Sequence, residues 1–412
     1  MVRLVVRLAW RSLLRNRRRS TLTVAAVTVA VFLMTIMWGW TGAVERNLFE
    51  NVTELETGHL RVRPASGGGR LDATLLKNAD AVLDVLSQRR DLRLATLRLD
   101  LPALAAAVDR ARGVLVRGVL ADRERALADY GRWVVDGRDL RDSDADAALG
   151  GDQLLDHLRL HIGDEITLLV SGRRTGVTAR TARIVGRLAL PSPELRHSLV
   201  LVPLSLARQL AGAPGEASTV VGLVRGVHRA SDQDRIRIVA GDLQAQLGPS
   251  HRVETWDVAA PDLTAYLGVV PVFMAIFGGI IVLLGGMVVG NTCYLGVLER
   301  TRELGVLAAL GTGSRRLTGL VLAEAALLCI PATAAGTGAA WGLVARLSTG
   351  FTVGPLADVH TALGLRPLFF AYLAPGRIAV TVLLMVAIAL ATAFLPARIA
   401  GAMPPAEAMR PR

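Results

Sequence analysis

The sequence predicts an α-helical membrane protein with four transmembrane helices plus an α/β extracytoplasmic domain, in which a β-α-β subdomain is interrupted by a mostly β subdomain. Three observations predict it. First, 52% of the 412 residues are hydrophobic and the mean hydropathy is +0.42, above the roughly 45–50% apolar content of an ordinary soluble chain. Second, four apolar runs, 21–42, 267–289, 317–344 and 377–395, each reach about 30 Å as helix, the thickness of a hydrocarbon core. Third, the formal charge of +12 is unevenly placed. Residues 43–265 hold 30 basic and 30 acidic side chains, and the remainder holds 17 basic against 5 acidic. An excess confined to the borders of apolar runs orients a chain in a membrane; it does not make a nucleic-acid-binding face. Lys77 is the only lysine and Asn78 follows it, so this sequence holds no GxxxxGK[ST] phosphate loop and ATP hydrolysis by that route is excluded.

The elements follow in order. In residues 1–20, Arg3, Arg7, Arg11 and Arg15 recur every fourth position, while Val2, Val5, Val6, Ala9, Trp10 and Leu13 cover the other side. That is the pattern of an amphipathic helix lying in the cytoplasmic interface; a simple positive-inside tag is the alternative. Run 21–42 is too long for the apolar region of a secretory signal, and no small-x-small cleavage site follows it. It is expected to remain as the first transmembrane helix, with Trp38 and Trp40 in the far aromatic belt. Seven arginines precede this run, Arg300, Arg302, Arg315 and Arg316 lie between the second and third runs, and Arg398, Arg410 and Arg412 follow the fourth. All of these fall on one side if both termini are cytoplasmic. Residues 43–265 are then extracytoplasmic, and 396–412 form a cytoplasmic tail.

Within the exported part, 58–64 reads as a strand, 71–89 as a helix and 92–99 as a strand; near its end 218–227, 231–247 and 251–256 repeat that order. The two units flank an interior at about 112–213. Its runs GVLVRGVL, GDEITLLV, TARIVGRL and HSLVLVPL, bounded by Gly, Pro or charged turns, read as strands. Cys293 and Cys329 lie in or beside spans at different depths, so no disulfide is expected. The domain has no HExxH, no G-x-S-x-G and no cysteine nucleophile. His157 and His161 are four apart and could share a helix face as metal ligands, but no Cys or third ligand sits nearby, and a solvated helix end is the plainer reading. The aspartates of 136–146 lack calcium-loop spacing. No metal and no cofactor are expected, and the domain reads as a binding or force-transmitting module.

The most informative stretch is NTCYLGVLERTRELGVLAALGTGSRRLTGLVLAEAALL, 291–328. Residues 298–310 have helical character, with Leu304, Leu307, Ala308 and Leu310 as the apolar contact set and Arg300 on an exposed face. Glu299 and Glu303 are one turn apart, and Arg302 is spaced to pair with Glu299. Gly305 permits close backbone approach, and Gly311 can end the helix in the left-handed conformation. On spacing alone, an ordinary charged loop is an equal reading.

That stretch resembles the FtsX/MacB-like permease family of ABC transporters, whose members carry E-R-x-x-E-[IL]-G-x-L-x-A-L-G here. The ending FLPARIAGAMPPAEAMRPR is similar to the family's P-A-x-x-A…P-x-E-A-[LM]-R, and the opening LAWRSLLRNRRRSTLTV matches its start. In the exported part, TGHLRV, GVLVRGV and LRLHIGDEITLL are similar to the lipoprotein-releasing (LolC/LolE-type) branch. The resemblance implies a multi-pass protein of the cell inner (plasma) membrane, with a MacB-like periplasmic domain and an FtsX-like permease domain over 267–395. It makes 298–310 a coupling helix, with Glu299, Arg300, Arg302, Glu303, Leu304, Gly305, Leu307, Ala308, Leu310 and Gly311 docking on a cytoplasmic ATPase subunit. The chain itself would be a non-catalytic permease subunit that couples ATP hydrolysis by a separate chain to movement of its exported domain. Lipoprotein release is the implied role, with a lipoprotein or periplasmic carrier as partner; export of small molecules or peptides, as in macrolide exporters, is the alternative. Signalling to cell-wall hydrolases, as by FtsX proper, fits less well, because the exported stretch here is considerably longer.

Glu324 is the sole acid within a span. A carboxylate at the bilayer centre costs ~2.5–3.5 kcal/mol on insertion scales, so it is expected to face protein or to snorkel to the interface. A glutamate commonly stands here in the family, which favours packing inside the bundle over a proton relay. Gly286 and Gly290 form a GxxxG, as do Gly338 and Gly342. Packing within the chain would explain both. Four helices are too few to enclose a large path through the surrounding lipid, so a second permease subunit, identical or different, is expected.

Overall fold

A computed structural model describes residues 7, 9, 11, 13–65, 75–172, 176–348, 351–352, 368–369 and 373–402. The chain divides into two compact units, one of Met1–Val44, Gly268–Phe351 and Leu368–Arg412, the other of Glu45–Leu267 and Thr352–Pro367.

The membrane unit is helical. Among the described residues, four helices are long and apolar enough to cross a membrane: Arg17–Val52, Pro261–Glu299, Ser314–Leu347 and Pro375–Ala402. Each is longer than its apolar run, because the hydrogen-bond ladder needs no apolar side chain to continue into water. Ahead of the first span, Arg7, Ala9, Arg11 and 13–15 are helical, with Ala9 buried and Arg7 and Arg11 exposed. The rest of 1–12, and 403–412 of the expected tail, lie outside the described residues.

Small residues let the helices approach. A Cβ on Gly336 would lie 2.5 Å from the Thr28 carbonyl oxygen of the first span, and one on Gly286 would lie 2.4 Å from Ile388 Cγ2 of the fourth. Hydroxyls join the same faces: Thr23 to Thr292 at 2.7 Å, and Thr392 donating to the Gly286 carbonyl at 2.8 Å. Val31, Val289, Ala325, Cys329 and Ala389 fill the space between. Both cysteines are free and buried. The Arg377 guanidinium lies 4.9 Å over the Trp38 ring, a cation–π contact that anchors this aromatic.

The second unit is α/β. Its elements are β1 (Leu60–Pro64), α1 (Ala79–Ser87), β2 (Leu92–Ala106), β3 (Ala111–Val119), α2 (Ala121–Ala128), β4 (Val134–Gly137), β5 (Ala147–Gly151), α3 (Asp152–Leu158) and β6 (Glu165–Gly172). They continue with β7 (Gly176–Leu188), α4 (Pro193–Ser198), β8 (Leu199–Pro203), α5 (Leu204–Ala211), β9 (Thr219–Val224), α6 (Gln233–Leu247) and β10 (His251–Thr255). Both expected flanking units are present, and they interleave: β1 lies between β10 and β9, and β9 pairs antiparallel with β2. The helix expected over 71–89 is confined to α1, because Asn78 is left-handed (φ 54°) and Leu76 bridges to Ala217; 71–74 lie outside the described residues.

The interior does not form a sheet of its own. At about 50 Å, β2 is long enough to pair with β9 through its first half and with β3 and β6 through its second. From there the strands close on themselves in the order β2, β3, β8, β5, β7, β6. Closure leaves no free edge within this ring. Alternating residues, among them Leu101, Val116, Ile166, Ile184 and Val200, fill it, and α5 packs Ala207 so closely that a Cβ on Gly118 would lie 2.2 Å away. The inner subdomain is thus mostly β, as expected, but it begins inside β2 rather than near residue 112.

Near β1, the rings of Phe49 and His59 stack at 5.6 Å, and Trp256 meets Phe49 edge-on at 5.1 Å. His59 Nδ1 accepts the Val224 backbone N–H at 3.0 Å. Burial, aided by Arg93, pushes the His59 pKa down to about 4.

Candidate functional site

The segment between the second and third spans is a helix set off by two breaks. The second-span helix ends at Glu299, and Arg300 (φ −114°, ψ 21°) leaves the helical region before a loop helix, Thr301–Ala309, begins. Gly311, at φ 86°, closes it: the Thr312 N–H reaches the Leu307 carbonyl and the Gly311 N–H reaches Ala308, each at 3.0 Å. This is the Schellman arrangement, and the left-handed residue it needs is the glycine the sequence supplies. One face holds the helix down. Leu304 is buried in the core of the membrane unit, and Leu307 and Ala308 pack against it.

Ion pairs surround the break. Arg300 makes a bidentate pair with Glu324 of the third span at 3.1 and 3.0 Å, the two side chains being 17% and 9% exposed. Arg19, at the start of the first span, bonds Glu299 at 2.9 Å, and Asn16 adds a contact at 3.4 Å. Arg15 forks onto Glu303 at 2.6 and 3.1 Å. The hydrogen bond from Arg15 holds the Glu303 carboxyl below its usual range, and the same bond raises Arg15. The exposed pairs are screened and contribute little each; the Arg300–Glu324 pair is sheltered, so losing either partner leaves the other as an unpaired, largely buried charge. Between these side chains lies a polar cleft of about 360 Å³, lined also by Thr292 and Cys293.

Several expected contacts are rearranged. Glu299 faces Arg19 rather than Arg302, since the break at Arg300 destroys the helical spacing that would pair them. Arg300 turns inward rather than standing on an exposed face, because the carboxylate of Glu324 needs a counter-charge within the apolar bundle. Leu304 and Gly305 are buried in this chain, and the outward face is Arg302, Val306, Ala309 and Leu310, with Leu310 78% exposed. Glu324 packs inside the bundle. Gly286 and Gly290 both abut the fourth span, at Ile388 and Thr392, whereas Gly338 and Gly342 face open space. Arg15 was legible only as part of a basic stripe, and Arg19 only as one of the seven arginines before the first run; their partners lie 288 and 280 residues away, beyond any spacing rule.

Among the described residues no group of three or more His, Cys, Asp or Glu is placed to hold a metal ion. His157 and His161 do not share a helix face, because Arg159 (φ 56°) ends α3 between them.

Four membrane helices, a cross-linked loop helix and a large α/β domain inserted after the first helix define the class: a polytopic membrane permease with a periplasmic-type domain. The chain belongs to the FtsX/MacB-like permease family. The MacB-like periplasmic core domain matches residues 20–244, more than half of the chain, and the FtsX-like permease C-terminal domain matches 275–405. Among named relatives, the macrolide export ATP-binding/permease protein MacB of Agrobacterium fabrum is 22% identical over 98% of this chain and 60% of its own length. An uncharacterized ABC transporter permease of Methanocaldococcus jannaschii, MJ1507, is 23% identical over 48% of each. The chain thus spans less than two thirds of either relative. Two solved domains are similar at 12% identity. The extracellular domain of the noncanonic ABC-type transporter YknZ from Gram-positive bacteria (TM-score 0.35) covers 48% of this chain and 99% of itself. The periplasmic region of MacB from Actinobacillus actinomycetemcomitans (TM-score 0.37) covers 53% and 97%.

Proposed function

We propose that the chain is the permease subunit of an ABC transporter, in which a separate cytoplasmic ATPase grips the loop helix and its closure is converted into motion of the exported domain. The observation that carries this is the division of faces on the loop helix. Leu304, Leu307 and Ala308 bind it to the bundle, while Val306 and Leu310, flanked by the exposed Arg302, Arg315 and Arg316, point away from the chain. An apolar knob of this kind, held at its base by ion pairs to the first and third spans, is a handle for a partner. The arginine distribution supports a cytosolic position for this handle and for both termini, in a cell inner membrane, with the α/β domain outside. The chain itself then hydrolyses no ATP. The second span shows Phe273, Phe277, Ile280 and Leu284 outward along its length, a face suited to lipid and to a second permease subunit.

For the cargo, the exported islands support release of a lipoprotein. Export of small molecules is the second reading, favoured by the alignment with a protein named for macrolide export across 98% of this chain.

The test is co-purification with the ATPase. Leu310→Asp and Val306→Asp should weaken its binding tenfold or more, since one interface hot spot is worth about 2 kcal/mol. Monodispersity in detergent should be retained. Full binding and full coupled ATP turnover in both variants would show that the loop helix is not the handle.

A further inference from the structure

Two buried arginines of the exported domain have no part in the loop-helix site. Arg98 of β2 and Arg117 of β3 are 1% and 4% exposed. Each stands on a strand position that alternates with residues filling the core, so both lie on the outer face of the strand ring. Each has an acidic partner. Arg117 forks onto Asp100, its cross-strand neighbour, at 2.7 and 2.9 Å, and Arg98 pairs with Glu124 of α2. Neither guanidinium is used up by that partner.

The remaining N–H groups converge on one short segment. Arg98 Nη1 donates to the carbonyls of Leu55 (3.1 Å) and Glu56 (2.9 Å), and its Nη2 to Glu54 (2.7 Å). Arg117 Nη1 donates to Leu55 at 2.6 Å. These carbonyls belong to a π-helical turn, Thr53–Thr57, that directly continues the helix Arg17–Val52 and ends at Gly58 (φ 69°). The final carbonyls of a helix have no partner inside it, and its C-terminal end carries partial negative charge. Two buried cations therefore cap the end of the first membrane helix. The Leu55 side chain is buried beside Val119, Leu127 and Tyr130 under the same cap.

An apolar contact would hold this turn against the sheet at smaller desolvation cost, since buried ion pairs seldom outperform apolar packing in stability. What a guanidinium fork adds is direction. Apolar contacts are non-directional and tolerate sliding, whereas hydrogen bonds at fixed angles resist displacement along the helix.

We propose that Arg98 and Arg117 are positioning residues for force transmission: they latch the end of the first membrane helix to the strand ring of the exported domain, so that displacement of that helix moves the ring. This rests on the ABC-permease reading above. The charge-neutral pair Arg98→Met/Glu124→Met removes the latch without leaving a buried carboxylate, and Arg117→Lys keeps the charge beside Asp100 while losing the fork. In the full chain in nanodiscs, amide exchange of 53–58 should rise roughly hundredfold or more in the double variant, which loses the three Arg98 bonds to the turn, and roughly tenfold in Arg117→Lys, which loses one. Protection of the β2 and β9 amides should be unchanged. With the ATPase bound, spin labels on Thr21→Cys and Lys77→Cys should report a distance change on adding ATP and vanadate in the otherwise native chain. The latch variants should lose that change while keeping ATP turnover. A variant that retains both slow exchange at 53–58 and the distance change overturns the latch alone. A native complex with no distance change overturns the permease reading, and the proposal with it.

Discussion

His59 shows how one buried side chain sets a pH limit. Its imidazole sits neutral against Phe49 and accepts a backbone N–H, and its pKa is pushed from 6.5 to about 4, first by burial. A neutral base whose folded pKa is depressed contributes stability that is complete above pH 6.5 and is lost as pH falls towards 4, where only the unfolded chain takes up the proton. The difference over that window is about 3 kcal/mol. Denaturant unfolding of the full chain in detergent at pH 7 and pH 4 should show this loss, and His59→Asn, which keeps an acceptor near Nδ1, should lack it. Parallel pH profiles for the two proteins would refute the assignment. The glycines make a second residue-scale contrast. Gly286→Leu meets Ile388 and the Ala389 backbone and should cost ~1–3 kcal/mol, whereas Gly338→Leu enters open space and should stay within ~0.5 kcal/mol. Both GxxxG pairs read alike as sequence. Which of them packs within the chain depends on the rotation of each helix, and that is a tertiary quantity.

At the scale of elements, the loop helix was legible in its existence and its end. Apolar spacing and Gly311 place a helix that terminates where the left-handed residue stands. Its start and its contact face were not legible. The break falls at Arg300, inside a run of good helix formers, because the bidentate bond to Glu324 draws that side chain across to the third span. Arg300→Met should therefore destabilise the membrane unit by about 3–5 kcal/mol, by leaving Glu324 unpaired, and Arg300→Met/Glu324→Met should recover most of the loss. Thermal unfolding in detergent checks it. Equal destabilisation by the single and double variants would mean that the pair does not act as a unit. In the exported domain, strands were found by alternation, but β2 was cut short at Leu99. Its continuation to Ala106 contains Pro102 and three alanines, poor strand formers that pairing with β3 and β6 carries into the ring.

For the whole molecule, the membrane topology is the expectation on which the rest depends. Ser143→Cys and Ser314→Cys, both exposed positions, should react oppositely with an impermeant thiol reagent in a chain whose Cys293 and Cys329 are replaced by alanine. Labelling of Ser143→Cys from outside, with Ser314→Cys protected, is the expected result. The reverse would invert the orientation and remove the loop helix from the reach of a cytosolic ATPase.

Sequence by itself determined the features that local chemistry controls. Four spans follow from apolar length, because a backbone in lipid must satisfy its own hydrogen bonds. The expected orientation follows from arginine placement, and the family from the motif at 299–311 and the chain's two ends. Only the tertiary structure decided which side chains meet. Arg15 with Glu303, Arg300 with Glu324, and Arg98 and Arg117 with the carbonyls of 54–56 each join residues far apart in the chain. So does the closure of six strands, which needs β2 to serve two groups of partners at once. Periodicity reports the face a residue occupies on its own element, and it carries no information about what that face will meet, because the partner is selected by the packing of the other elements.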